Sequence, residues 1–163
     1  MTQDQEAIRR IEELLVSGRV STMMVCIHGI RKGGPWGEIY NCYLQDPVLF
    51  EGAGDMVLKL DQMCEWIGSP KRTAYPRFLN GEMEERYRLS ELDSPEVLDQ
   101  SMIYGLDSIP FEPALRAREV LVVYVKYRQN ASIQGSIRGR LTRGNVVNFR
   151  SGLELMRMME MLE

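Results

Sequence analysis

A single histidine, His28, limits the chemistry open to this 163-residue chain. A histidine metal site, a Cys–His pair and a Ser–His–Asp triad would each have to use it. The three cysteines, Cys26, Cys42 and Cys64, are odd in number, far apart and without metal-type spacing, so they read as buried, reduced thiols. Asp55, Asp61 and Glu65 share one helical segment, where they read as a cap and a solvated face; an acid–base pair needs a reacting group between two carboxylates, and nothing marks such a cleft. Gly29-Ile30-Arg31-Lys32-Gly33-Gly34 is rich in glycine but falls in a hairpin-like turn, not between a strand and a helix as a phosphate cradle requires. Neither Gly-x-Ser-x-Gly, nor a Walker loop, nor His-Glu-x-x-His occurs in the sequence. The reading assigns no catalytic residue, no metal ligand and no cofactor, and takes the protein not to be an enzyme.

Binding is the more promising chemistry. The net charge of −3 conceals an asymmetry: residues 120–163 carry seven basic and three acidic side chains, a net of +4, which leaves −7 on the first 119. Strand alternation places Tyr124, Lys126 and Arg128 on one face, with Arg138 and Arg140 beside them and Arg143 on the adjoining turn. Such a face could hold a nucleic-acid backbone or another anion. It could equally be a solvated exterior.

The elements that position these residues follow one plan written twice. Val25 to Met63 and Val123 to Leu162 each read as strand, turn, strand, hairpin, short strand, phenylalanine and apolar helix, with Phe50 over Phe149. The units align at an offset of 98 over the first two strands and 99 at the phenylalanine. Ser151 with Glu154 three residues on is a capping box, and Gly52 with Asp55 stands in the same two positions. Residues 4–17 read as a helix, with Ile8, Ile11 and Leu15 on one side. Ser94-Pro95-Glu96 reads as the start of another, running to about Tyr104. The helix Leu153 to Leu162 is apolar on most sides and must be covered.

The expected fold is therefore α+β, an internal duplication of an α-β-β-β-α-like unit with antiparallel sheet and helices on one face. Residues 1–68 form the first unit, 69–119 an ordered connecting segment with one short helix, and 120–163 the second, β-β-β-α unit. Whether the units share one sheet or stack as two is left open by the pattern.

Tyr127-Arg128-Gln129-Asn130-Ala131-Ser132-x-Gln134-Gly135 followed by Phe149-Arg150-Ser151-x-Leu153-Glu154-Leu155 resembles a segment of a family of small bacterial proteins, mainly clostridial. The resemblance covers about the last 40 residues and implies no activity. The helix–three strands–helix order is also similar to the double-stranded RNA-binding domain. That family's lysine cluster at the start of the second helix is absent here, where Glu51 to Asp55 and Arg150 to Glu154 stand, so its phosphate-clamping residues are not carried over.

The first unit's matching sheet face holds Met24, Cys26 and His28 beside Glu38, Tyr40 and Cys42. It is too apolar to lie in water and must be covered by the middle segment or by another chain. Met24, Cys26, Tyr40 and Cys42, with Trp36 and Trp66 as anchors, are the candidate interface residues. The function expected is a non-enzymatic interaction or regulatory protein that self-associates as a dimer; the alternative is nucleic-acid or anionic-ligand binding through the basic face. No apolar run approaches the ~20 residues of a membrane helix. The polar, acidic start is unlike a signal peptide, so the expected location is the cytoplasm.

Overall fold

Thr22-Met23-Met24-Val25-Cys26-Ile27 contains no charge, and all six residues are buried. A strand that is apolar on both faces belongs in the middle of a covered sheet, and that is where it lies. The computed structural model describes residues 2–6, 9, 20–98 and 112–163. Six strands form one antiparallel sheet: β1 (Thr22–Arg31), β2 (Gly34–Tyr40), β3 (Val48–Glu51), β4 (Glu119–Tyr127), β5 (Gln134–Gly139) and β6 (Val147–Phe149). Their order is β3-β2-β1-β4-β5-β6, so the two halves of the chain join along β1 and β4 into a single sheet. The helices are α1 (Ala53–Ile67), α2 (Gly81–Ser90), α3 (Glu112–Arg116) and α4 (Gly152–Glu160). The α+β class and antiparallel sheet are as expected.

Register ties the halves together. Met24 pairs with Val122, which lies 98 positions on, and the ladder runs symmetrically about that pair, Met23 with Val123 and Val25 with Leu121. Within the halves, Val25 pairs with Ile39 and Val123 with Ile137; Ile27 pairs with Gly37 and Val125 with Gly135. Both first strands then carry an irregularity at the same place, between Ile27 and Gly29 and between Val125 and Tyr127. Gly37 pairs with Phe50 and Gly135 with Phe149, which absorbs the one extra residue in the second hairpin.

Helices α1 and α4 lie on one face of the sheet over Met23, Val25, Ile27, Ile39, Val123, Val125 and Ile137. Their buried residues correspond at the offset of 99: Ala53 with Gly152, Met56 with Leu155, Leu60 with Met159. Phe50 and Phe149 are both buried in this core. Each side chain of this size contributes roughly 1.5–3 kcal/mol by leaving water. The helix starts also share a clamp. Ser151 Oγ accepts from the Glu154 N–H (3.1 Å), while Glu154 accepts from the Arg150 N–H (2.9 Å) and Asp55 from the Glu51 N–H (3.0 Å). The carboxylate thus reaches one residue further back than in a capping box, binding the N–H before the cap.

The connecting segment departs from expectation. Residues 95–98 do not begin a helix. Leu98 N–H donates to the Tyr43 carbonyl and Gln45 N–H to that of Glu96, so the backbone there is committed to an extended pairing. Positions 99–104 of that expected helix lie outside the described residues, as does most of 4–17, of which Asp4 to Glu6 and Arg9 are helical. Helix α2 was not foreshadowed by any apolar period; none of its residues is buried. It is started by Asn80, whose side chain accepts from the Met83 N–H, and carries an Arg88–Glu84 pair one turn apart.

Close backbone contact in the sheet yields a test. A Cβ on Gly37 would lie 1.8 Å from the Cys26 carbonyl oxygen, and one on Gly135 would lie 1.8 Å from that of Tyr124. Backbone cannot yield as a side chain can, so Gly37→Ala and Gly135→Ala should each cost roughly 2–4 kcal/mol in urea denaturation. A loss below about 0.5 kcal/mol at either position would contradict the register.

Candidate functional site

The residues singled out by sequence fall into three places, and the irregularity in β4 decides the first. An extra residue in one strand reverses the phase of alternation beyond it. Arg128, expected on the open face with Tyr124 and Lys126, therefore turns inward and is only 2% exposed. Its Nε donates to Asp61 Oδ1 at 2.8 Å, and Nη1 donates to Glu65 Oε2 at 2.8 Å and to the Pro70 carbonyl at 3.1 Å. Burial works against its charge, but the hydrogen bonds to Asp61 and Glu65 and the charge of Asp61 more than offset that and raise its pKa. Asp61 and Glu65, read from sequence as a solvated helix face, are thus its partners.

The cluster continues outward. Arg72 pairs with Glu65 (3.5 Å) and Glu91 (3.2 Å), donates to the Tyr87 hydroxyl (3.2 Å) and stacks over Tyr75 at 4.5 Å. Thr73 N–H donates to the Arg128 carbonyl, and Trp66 Nε1 to that of Glu91. Two guanidinium groups and three carboxylates thereby fasten the segment from Pro70 to Glu91, α2 included, to α1 and the end of β4. Trp66 serves this internal attachment and is half-buried in it.

The remaining cations do not form one face. Arg138 is exposed on β5 opposite Val122. Arg140 is outside the strand, in a 3-10 turn over Arg140–Thr142, and pairs with Glu119. Arg143 ends that turn with φ 54°, exposed. Lys126 is exposed, 5.5 Å from the Tyr127 ring, and Tyr124 is half-buried. Among the described residues Lys126, Arg138 and Arg143 enter no ion pair.

The third place is the first half's sheet face away from α1 and α4. Met24, Cys26 and Tyr40 are buried there with Val122 and Ala114, and Cys42 is half-buried at the margin. The chain's own α3 packs against part of this face through Ala114, and Met24, Cys26 and Tyr40 are core residues there. Trp36 is half-buried beneath the Arg31 guanidinium (4.1 Å), with the His28 ring 5.7 Å away. His28 Nε2 and Glu38 Oε1 share a 2.6 Å hydrogen bond, and the Tyr40 hydroxyl donates to the same oxygen at 3.3 Å. Sequence alternation set these residues side by side but missed their mutual bonding. Burial first, and then the Glu38 charge, push the Cys26 thiol up to about 12 and raise the Tyr40 phenol. Burial likewise pushes Cys64 up to about 12. Thiols so placed stay protonated near neutrality, and a protonated thiol is a poor nucleophile.

Among the described residues no three His, Cys, Asp or Glu side chains gather to hold a metal ion, and no helix is long and apolar enough to cross a membrane. Comparison with protein-family models, with curated proteins and with solved structures found no match to the chain.

Two outcomes follow from this geometry. Native protein should react with a thiol reagent rapidly at Cys42 alone, and at all three cysteines once denatured. Because the folded pKa values of Cys26 and Cys64 lie above the unfolded value near 9, their contribution to stability is complete below about pH 9 and is lost as pH rises toward 12. Chemical denaturation between pH 8 and 11 should show the decline, and Cys26→Ser with Cys64→Ser should flatten it. Separately, Asp61→Asn with Glu65→Gln leaves a buried cation unpaired. Both carboxylates are about one-third exposed, which moderates the loss to about 2–4 kcal/mol. Arg128→Met should cost less than that double change, since water can reach the carboxylates it frees; the reverse order would contradict the assignment.

Proposed function

We propose that the protein is a non-enzymatic interaction module that works in the cytoplasm and associates with itself. The observation that carries this reading is the location of its uncovered apolar side chains. Two groups of them are Leu79, Met83, Leu89 and Leu92 in and around α2, and Leu141, Val146 and Val147 at the β5–β6 hairpin, while others, Leu49 on β3, Leu58 on α1 and Leu153 on α4 among them, are scattered. Exposed apolar side chains that gather in two groups favour protein contacts there. The groups with chemical potential support the same reading, because they are bonded to one another: His28 to Glu38, Arg128 to Asp61 and Glu65, with two thiols buried. Three free cysteines suit a reducing compartment. The repeated register supports descent of the two halves from one copied unit.

Anion or nucleic-acid binding is the second reading. It loses Arg128 and Arg140 to internal carboxylates and keeps Lys126, Arg138 and Arg143.

Sedimentation velocity across a hundredfold range of concentration tests the first reading. The expected result is a monomer–dimer equilibrium, and a strict monomer at the highest concentration would overturn it. Retention on immobilised nucleic acid that falls steeply with salt, in a protein that stays monomeric, would favour the second.

A further inference from the structure

The two apolar projections differ in charge and sit at opposite ends of the sheet. Leu79 is 90% and Leu92 78% exposed, and both flank α2. Residues 79–93 carry five acidic and two basic side chains, a net of −3. Glu91 is spent on Arg72 and Glu84 on Arg88, which leaves Glu82, Glu85 and Asp93 in no ion pair among the described residues. Residues 138–147 carry Arg138, Arg140 and Arg143 and no acidic side chain, a net of +3, with Leu141 and Val146 exposed among them. Of the three arginines, among the described residues, only Arg140 is in an ion pair, with Glu119.

The α2 projection is fastened where β4 ends, through Arg128, whereas the hairpin stands where β4 begins, with Gly139 opposite Leu121. Seven residues of extended chain, from Leu121 to Arg128, separate the two positions, on the order of 20 Å. One copy cannot bring its own projections together; two copies can. Side by side and antiparallel about a two-fold axis, each copy's α2 meets the other's hairpin, so the contact is made twice and closes.

Resting on the self-association reading, we infer that this is the interface: α2 with its flanking leucines docks on the β5–β6 hairpin of a second copy, reciprocally, in a closed dimer. Apolar contact by Leu79 and Leu92 with Leu141 and Val146 supplies the adhesion. The opposed charges of Glu82, Glu85 and Asp93 and of Arg138 and Arg143 set the pairing and its direction. The inward side of α2 needs no partner beyond its own chain, because hydrogen bonds and ion pairs hold it.

Charge exchange on the full chain tests this. One variant carries Glu82→Lys with Glu85→Lys, the other Arg138→Glu with Arg143→Glu. All four positions are exposed, and circular dichroism is the check that each variant folds. Each alone brings like charges together and should dimerise about tenfold or more weaker than the unchanged protein in sedimentation at low salt. Mixed in equal amounts, the two variants should form a heterodimer, since both of its contacts again join opposite charges. If the unchanged protein dimerises and neither variant weakens it, or the mixture fails to restore association, this interface is wrong while self-association stands. Open-ended chains instead of dimers would also overturn it. A monomeric unchanged protein would remove the self-association reading as well, and loss of salt-dependent nucleic-acid retention in the arginine variant would then point to an anion instead.

Discussion

The pairing of β1 with β4 is the constraint on which the molecule depends. Six consecutive residue pairs, from Thr22 with Tyr124 to Ile27 with Glu119, join the halves, and this is the only ladder between them among the described residues. The strands it joins are buried on both faces, one under α1 and α4 and the other partly under α3. Each half by itself is a three-stranded sheet with one helix, and its first strand would present an apolar open edge to water. Joined, the two halves place those edges at the centre and leave short strands, β3 and β6, at the rim.

Departures from this repeated frame are what distinguish the halves. Beyond the shared strand irregularity the first half has Gly29 and Ile30, while the second has Tyr127 and Arg128. Only the second therefore sends a cation beneath α1. That one guanidinium draws in Asp61 and Glu65, through them Arg72, and through Arg72 the whole of the α2 segment. A pairwise count of surface ion pairs would give this little weight, but a fully covered arginine with two carboxylates and a carbonyl is a different case.

The sequence was most legible where apolar spacing and local signals agreed. Alternation in Met23 to Ile27 and Val123 to Tyr127, the turn residues, the matched Phe50 and Phe149 and both helix starts led to the strands and helices observed. Two kinds of feature were hidden. Strand irregularities leave no mark on composition, so the alternation that placed Val125 correctly misplaced Arg128 three residues later. Helix α2 had no apolar stripe because its own chain holds it by polar contacts, and the Ser94-Pro95 signal was overridden by pairing with Tyr43 to Gln45. His28 stands out in the sequence as the single histidine, yet its bond to Glu38 depends on register across two strands, which spacing within one strand cannot reveal.

A central ladder between Met24 and Val122 also bears on how the chain reaches its native state. The residues it joins are 98 positions apart, and closing so large a loop must precede any reward from the contact. The first three strands and α1 can gather early through local hairpins, but they must wait, with one flank unpaired, until β4 has been made. Slow assembly and a period of vulnerability to aggregation are thus built into the topology, and the burden falls on whatever shields β1 in the meantime.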